Sequence, residues 1–208
     1  MVQAQAQARR QYKKRPAAEI AQLERQEYKT FQKTETFQSS SFESNHKAKQ
    51  YFLIKSEPND FSIDDMASDV TSCWDGVRNH QAKKFLLTMK EGDKVLFYHS
   101  KCKIPGIVGI VEVSKEAYPD HTALDPSGKY YDPKSTPENP RWFMVDFTFV
   151  RKLSRCIPLE ELRRVPELAG MALLRQGRLS VQPVAEEEYH RILALEGGDG
   201  GSAASATG

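Results

Sequence analysis

The chain of 208 residues is 39% apolar and 28% charged, a composition that suits one sizeable domain with polar tails better than a uniformly globular chain. Its net charge of +2 divides unevenly, with ten Lys and Arg against five Asp and Glu in residues 1–50 and 20 against 23 in residues 51–208, so the folded part lacks the basic excess of a strong non-specific nucleic-acid binder. Cys73, Cys102 and Cys156 form no C-x-x-C pair and are expected as free thiols in a reducing compartment; no apolar run approaches ~18 residues and no hydrophobic signal core opens the chain, so neither membrane insertion nor secretion is indicated.

Residues 1–49, rich in Gln, Lys, Arg, Ser and Ala, cannot bury enough apolar surface to offset chain entropy and are expected to be a disordered basic tail, with at most a transient helix over Ala17–Tyr28. Within it Arg9, Arg10, Lys13, Lys14 and Arg15 form a cluster suited to a nuclear-import receptor or to phosphates, or simply to keeping the tail in solution. The composition changes at Tyr51, where Tyr51–Ser56 has the length and residue types of a buried strand. Glu57–Asp60 turns the chain, and Ser62 can cap a short helix through Met66 with Asp64 and Asp65 in its first turn. Trp74–Asn79 then gathers an indole, a guanidinium and a carboxamide around Gly76, which permits a sharp turn.

Ala82, Phe85, Leu86 and Met89 recur at helical spacing and predict an amphipathic helix over His80–Lys90, with Asn79 as N-cap and Gly92 near its end. Lys94–Ser100 reads as a second strand that ends in three polar side chains, and Gly106–Val113 as a third in which Gly109 marks a bulge or a close backbone approach. Tyr118–Pro140 is a long loop expected to pack on the strands through Tyr118, Tyr130 and Tyr131. Phe143, Val145, Phe147 and Phe149 alternate with Met144, Asp146, Thr148 and Val150 as in a half-buried strand. Pro158 opens a short helix carrying Leu159, Leu162 and Val165, Met171–Leu174 adds a turn, and Arg178–Val184 is extended. Glu186, Glu187 and Glu188 begin a last helix with Tyr189, Ile192 and Leu193 inward, which closes a folded domain over 50–196; residues 197–208 form a flexible Gly/Ser/Ala tail. Four or five strands with inserted helices suggest an α+β fold, a mixed, partly closed barrel in place of a doubly wound parallel sheet.

The chemistry supports a binding module better than an enzyme. His99 and Cys102 lie three apart but no second close pair completes a zinc site; Ser100 follows His99 with no G-x-S-x-G elbow, and no P-loop or G-x-G-x-x-G occurs, so neither a metal nor a cofactor is expected. Lys55, Ser56, Arg78, Asn79, Tyr98, His99, Ser100, Ser180 and Gln182 sit instead at or beside the ends of apolar elements. Each alone is more often a satisfied structural group; together with Trp74 they suit a planar heterocycle, stacked by a ring and read at its edge by amides and hydroxyls.

Four motifs, Lys55-Ser56-Glu57-Pro58, Trp74-Asp75-Gly76-Val77-Arg78-Asn79, Tyr98-His99-Ser100 and Arg178-Leu179-Ser180-Val181-Gln182-Pro183, resemble the EVE-domain family in order and spacing. The resemblance spans about residues 51–195 and includes Glu116-Ala117-Tyr118-Pro119-Asp120, Tyr131-Asp132-Pro133 and Pro140-Arg141-Trp142. It implies a PUA-like mixed β pseudo-barrel and a pocket, between the barrel and the loop entering the first long helix, for a modified base in nucleic acid, notably modified cytosine in DNA. By motif that pocket uses Lys55, Ser56, Glu57, Trp74, Val77, Arg78, Asn79, Tyr98, His99, Ser100, Ser180 and Gln182. The chain departs from the family at Phe52, where relatives often carry Trp, which reduces the ring area offered for stacking. The expectation is a non-enzymatic, monomeric base reader, nuclear or shared between nucleus and cytoplasm, with DNA favoured over RNA, an import receptor as a second partner and no membrane association. The rival is a small enzyme acting on modified nucleosides, with Lys55, Glu57, Tyr98 and His99 as acid–base groups.

Overall fold

Tyr51–Ser56 forms the first strand of a six-stranded mixed sheet in the computed structural model, which describes residues 49–197. The cluster of Arg9, Arg10, Lys13, Lys14 and Arg15, the helix considered over Ala17–Tyr28 and the Gly/Ser/Ala tail beyond Gly197 therefore lie outside the described residues. In chain order the elements are β1 (Tyr51–Ser56), α1 (Ile63–Asp69), β2 (Thr71–Cys73), α2 (His80–Thr88), β3 (Lys94–His99), β4 (Gly106–Pro119), β5 (Phe143–Pro158), α3 (Leu159–Leu162), α4 (Ala172–Arg175), β6 (Val181–Val184) and α5 (Glu186–Glu196). Single 3-10 turns at His121–Ala123 and Pro166–Leu168 complete the path.

The strands lie in the order β2-β5-β4-β3-β1-β6, with β1 parallel to β3 and the other neighbours antiparallel. Both faces of the central strands are covered, which is why β1 and β3 read as continuous apolar runs. Phe52 and Ile54 of β1 and Val95 and Phe97 of β3 enter one core with Met66, Leu86, Phe147 and Val181, whereas Leu53, Leu96 and Tyr98 enter a second with Ile157, Leu162, Tyr189 and Ile192. The edge strands β2 and β6 do not pair with each other; α2 packs on β4, β5 and β6 and bridges the opening, so the curled sheet is closed by a helix.

Local signals account for most element limits. Ser62 caps α1 in a reciprocal capping box with Asp65, Asn79 caps α2, and Glu188 reaches back to the Ala185 N–H at the start of α5. Gly109 is a close approach as expected, since a Cβ there would lie 2.5 Å from Ile63 Cδ1. Pro183 is tolerated because β6 is an edge strand.

Several expectations are corrected. β2, three residues long, carries no periodicity to read. β4 runs on to Pro119 and β5 to Pro158 across register shifts, where the alternation on which shorter strands were predicted is broken by bulges. Met144, predicted to face outward, is buried because the sheet is covered on that side too, while Tyr131, predicted to pack, is exposed. α2 stops at Thr88, short of Lys90, since Met89 turns extended at φ −65° and ψ 140° while keeping its side chain in the core. The final extended segment is a strand over Val181–Val184 alone.

Candidate functional site

A cavity of about 490 Å³ opens at the C-terminal ends of β1 and β3. It is built from four pieces of chain: Lys55–Glu57 with Asp60 and Phe61, the Trp74–Arg78 turn, Ser100–Lys101 after β3, and Gly177–Ser180 before β6, with Tyr130 of the long loop against the turn. The sheet order sets this arrangement, because β3 and β6 flank β1 and deliver their loops to either side of its end. Ser56 O accepts from Ser100 N at 2.8 Å, and Ser180 O accepts from Lys55 N at 2.9 Å, so all three strands are tied together at the rim.

Gly76 carries the turn at φ +74°, a left-handed conformation that favours glycine. A Cβ at Gly76 would lie 2.6 Å from the Tyr130 ring, so the residue is required for space as well as for angle. Asp120 fixes the turn from outside: its side chain is fully buried and its Oδ2 accepts from Gly76 N at 2.9 Å and from Arg78 Nη1 at 2.7 Å. Burial alone raises the Asp120 carboxyl, but hydrogen bonds from Arg78, Thr122 and Gly76 and the Arg78 charge outweigh it and hold the group below the usual carboxylate range. Arg78 also donates from Nε to Tyr130 O at 2.8 Å and from Nη2 to Thr122 Oγ1 at 3.1 Å. Its guanidinium is thus a brace between the turn and the loop that carries Tyr130.

Trp74 is 6% exposed and meets Phe61, Phe97 and Phe147 edge-on at centroid distances of 6.3, 5.6 and 5.8 Å. It is part of the pocket wall and part of the core at once. Lys55 donates to Gly177 O at 3.0 Å and has no carboxylate partner among the described residues; burial lowers its ammonium to about 8. Lys101, in contrast, pairs with Glu57 Oε1 at 2.5 Å. The β6 side of the lining therefore presents Lys55 and Arg178, the β3 side Glu57 and Asp60 beside Lys101, and the turn adds Asp75.

Of the residues expected at the site, Lys55, Ser56, Glu57, Trp74, Val77, Arg78, Ser100 and Ser180 line the cavity, and Asn79, Tyr98, His99 and Gln182 do not. Asn79 Oδ1 accepts from Gln81 N at 2.9 Å and Ala82 N at 3.0 Å, which starts α2. His99 Nε2 accepts from Ile63 N at 3.1 Å and so anchors α1, and burial lowers its pKa, which favours the neutral ring that this bond needs. Gln182 Nε2 donates to Leu179 O at 2.8 Å and Gln176 O at 3.2 Å and braces the loop ahead of β6. Tyr98 belongs to the core on the other face of the sheet. Phe52 is 2% exposed in the first core and outside the cavity lining, so its smaller ring bears on packing and not on the area offered to a ligand.

Asp60, Phe61, Asp75, Lys101, Tyr130 and Arg178 line the cavity although the sequence did not name them as site residues. Asp75 and Arg178 stand inside the recognised motifs; Tyr130, expected to pack on the strands, comes from a loop more than fifty positions beyond the turn it covers, and no local pattern ties it to that turn. Cys73, Cys102 and Cys156 are not joined in disulfides, in line with the thiols expected.

The family model described as the EVE domain matches residues 50–195. Mouse thymocyte nuclear protein 1 is 48% identical over 165 residues, covering 70% of this chain and 73% of the relative. Among solved structures, a hypothetical protein from Leishmania major superposes with a TM-score of 0.70 at 51% identity, covering 72% of this chain and 95% of its own. The human THYN1 protein, solved in complex with 5-methylcytosine-containing DNA, superposes with a TM-score of 0.70 at 44% identity, covering 72% of this chain and 99% of its own.

Proposed function

The chain belongs to the EVE domain family, and from that premise we propose that it is a non-enzymatic DNA-binding protein whose pocket receives a modified base, a modified cytosine in first place. The observation that carries this reading is the cavity at the start of α2, whose volume of about 490 Å³ falls within the ~300–1,000 Å³ typical of small-molecule sites. Its walls offer rings at Trp74, Phe61 and Tyr130 and hydroxyls at Ser56, Ser100 and Ser180, the groups that hold and read a planar base taken out of its stack. The similar human protein's complex with 5-methylcytosine-containing DNA supports the choice of ligand.

The geometry supports a division of roles among these residues. Ser56, Ser100 and Ser180 contact the base edge, Trp74 and Tyr130 supply walls, and Lys55 faces a polar substituent or a phosphate. Arg78 and Asn79 act indirectly, one bracing the turn and the other capping α2. The rival nucleoside-modifying enzyme loses two of its acid–base groups, since Tyr98 and His99 lie outside the lining and His99 is engaged with Ile63 N. A nuclear location, supported by the relatives' name, a monomeric state and import through the cluster at Arg9, Arg10, Lys13, Lys14 and Arg15 complete the reading.

Fluorescence anisotropy with matched duplexes bearing cytosine or 5-methylcytosine tests it, together with mass analysis of the DNA afterwards. The modified duplex binds more tightly and leaves with unchanged mass; Ser180→Phe, which fills the cavity, removes the preference by roughly 1–3 kcal/mol, the scale of a lost base contact. Equal binding of both duplexes by the wild-type protein, or turnover of the base, overturns the proposal.

A further inference from the structure

We infer that the segment from Arg175, the last residue of α4, through the loop to Ser180 is the phosphate-contacting rim of the pocket, with Arg178 and Arg175 as its cations, so that the DNA strand crosses the β6 side of the cavity and avoids the Glu57 side. The inference rests on the reading of the pocket as a DNA base site and adds the path of the backbone.

Charge is the first ground. Residues 51–208 have 20 Lys and Arg against 23 Asp and Glu, so a polyanion is best held where cations are locally free. Most arginines here are engaged: Arg78, Arg141, Arg151, Arg155, Arg163 and Arg191 each pair with a carboxylate. Among the described residues Arg164, Arg175 and Arg178 have no such partner, and two of these three are exposed close together in sequence, Arg175 at the end of α4 and Arg178 in the short loop that follows it. Arg178 lines the cavity itself. Lys55, in the same wall, also lacks a carboxylate partner among the described residues and adds its charge below about pH 8.

The second ground is rigidity. A cation on a loose loop loses conformational entropy on contact, whereas this loop is fixed from several sides. Gln182 Nε2 donates to Gln176 O and Leu179 O, Lys55 Nζ to Gly177 O, Lys55 N to Ser180 O, and Gln81 Nε2 to Gln176 Oε1 at 3.2 Å. Leu179 is buried between the exposed Arg178 and the rim residue Ser180, which pins the backbone from below. The buried Gln182, expected as a ligand contact, holds this loop in place.

The third ground is the opposite wall. On the β3 side Lys101 is engaged by Glu57 and lies near the further carboxylate of Asp60, so that side offers a phosphodiester no unpaired cation. The loops after β3 and before β6 stand on either side of β1, two strand spacings or roughly 9–10 Å apart, so a strand lying along one rim need not approach the other.

The test measures binding of the full chain to cytosine and 5-methylcytosine duplexes over a range of KCl. Each phosphate contact contributes a slope of about 0.9 in log K against log salt. Arg178→Gln is expected to reduce the slope by about one contact, so that the affinity lost between about 50 and 200 mM KCl is roughly threefold smaller, equally for both duplexes. Arg175→Gln adds a further reduction, and Arg164→Gln, an unpaired arginine away from the cavity, leaves the slope unchanged. Melting temperatures establish that the exposed variants are folded. An unchanged slope in Arg178→Gln, an equal effect in Arg164→Gln, or a loss confined to the modified duplex overturns the inference. The wild-type preference for the modified duplex is read in the same titrations, so failure of the base-reader proposal shows there, while the slope with the unmodified duplex still decides the phosphate rim.

Discussion

Gly76 shows how narrowly the turn is specified. Gly76→Ala places a methyl 2.6 Å from the Tyr130 ring at a left-handed φ of +74°, so two penalties add. A loss of roughly 1–3 kcal/mol in chemical denaturation is expected, from backbone strain with displacement of Tyr130, accompanied by weaker DNA binding. A melting curve like the wild type's would mean that the turn relaxes freely. Trp74 makes the opposite point: with three phenyl rings around it, Trp74→Ala should cost ~3–5 kcal/mol as a core truncation, more than the ~1–3 kcal/mol of a lost stacking contact. Its binding defect will therefore follow its unfolding curve. Lys55 supplies a pH test. With a folded value of about 8 against 10.5, the folded state binds fewer protons between those limits, so stability rises with pH across that window. Over the same window the ammonium is lost and DNA affinity falls; Lys55→Met should flatten both trends, and titrations of the two proteins that run parallel would remove Lys55 from the site. The motifs identified the right neighbourhoods but could not separate Ser100 from His99, because adjacent strand-end residues point to opposite sides and one position decides between lining and support.

The turn, α2 and the long loop behave as one joint through Asp120 and Arg78. Asp120→Asn leaves Arg78 without its carboxylate in a largely enclosed site, a change that costs about 3–5 kcal/mol when a buried pair is broken. The Asp120 carboxyl is depressed on folding, so its stabilisation is present above the ordinary carboxylate range and is lost as pH falls through the folded value. Acid unfolding should accordingly begin at higher pH without it only through the lower starting stability, and the pH dependence itself should become shallower than in the wild type. Helices and caps were legible because Ser62, Asn79 and the glutamates ahead of Tyr189 act on groups a few positions away. β2 and the far halves of β4 and β5 were not, since their pairing depends on bulged partners distant in sequence. Closure by α2 was equally invisible: amphipathic spacing says that a helix has an inner face, not which strands it will span.

At the scale of the molecule, the two strand-linked cores close over residues 51–196, and a protein beginning at Lys49 should melt cooperatively at about the full-length temperature. A large drop would assign residues 1–48 a part in the fold. The place where the chain enters the domain is equally defined. Lys94 N donates to Gln50 O and Gln50 N to Asp93 Oδ1, so the chain enters the domain at the start of β1, whereas the cavity lies at Ser56, five strand steps or about 17 Å away. The first described residues and the cavity therefore lie at opposite ends of one strand, so a label or surface tether attached at Lys49 leaves the cavity mouth unobstructed.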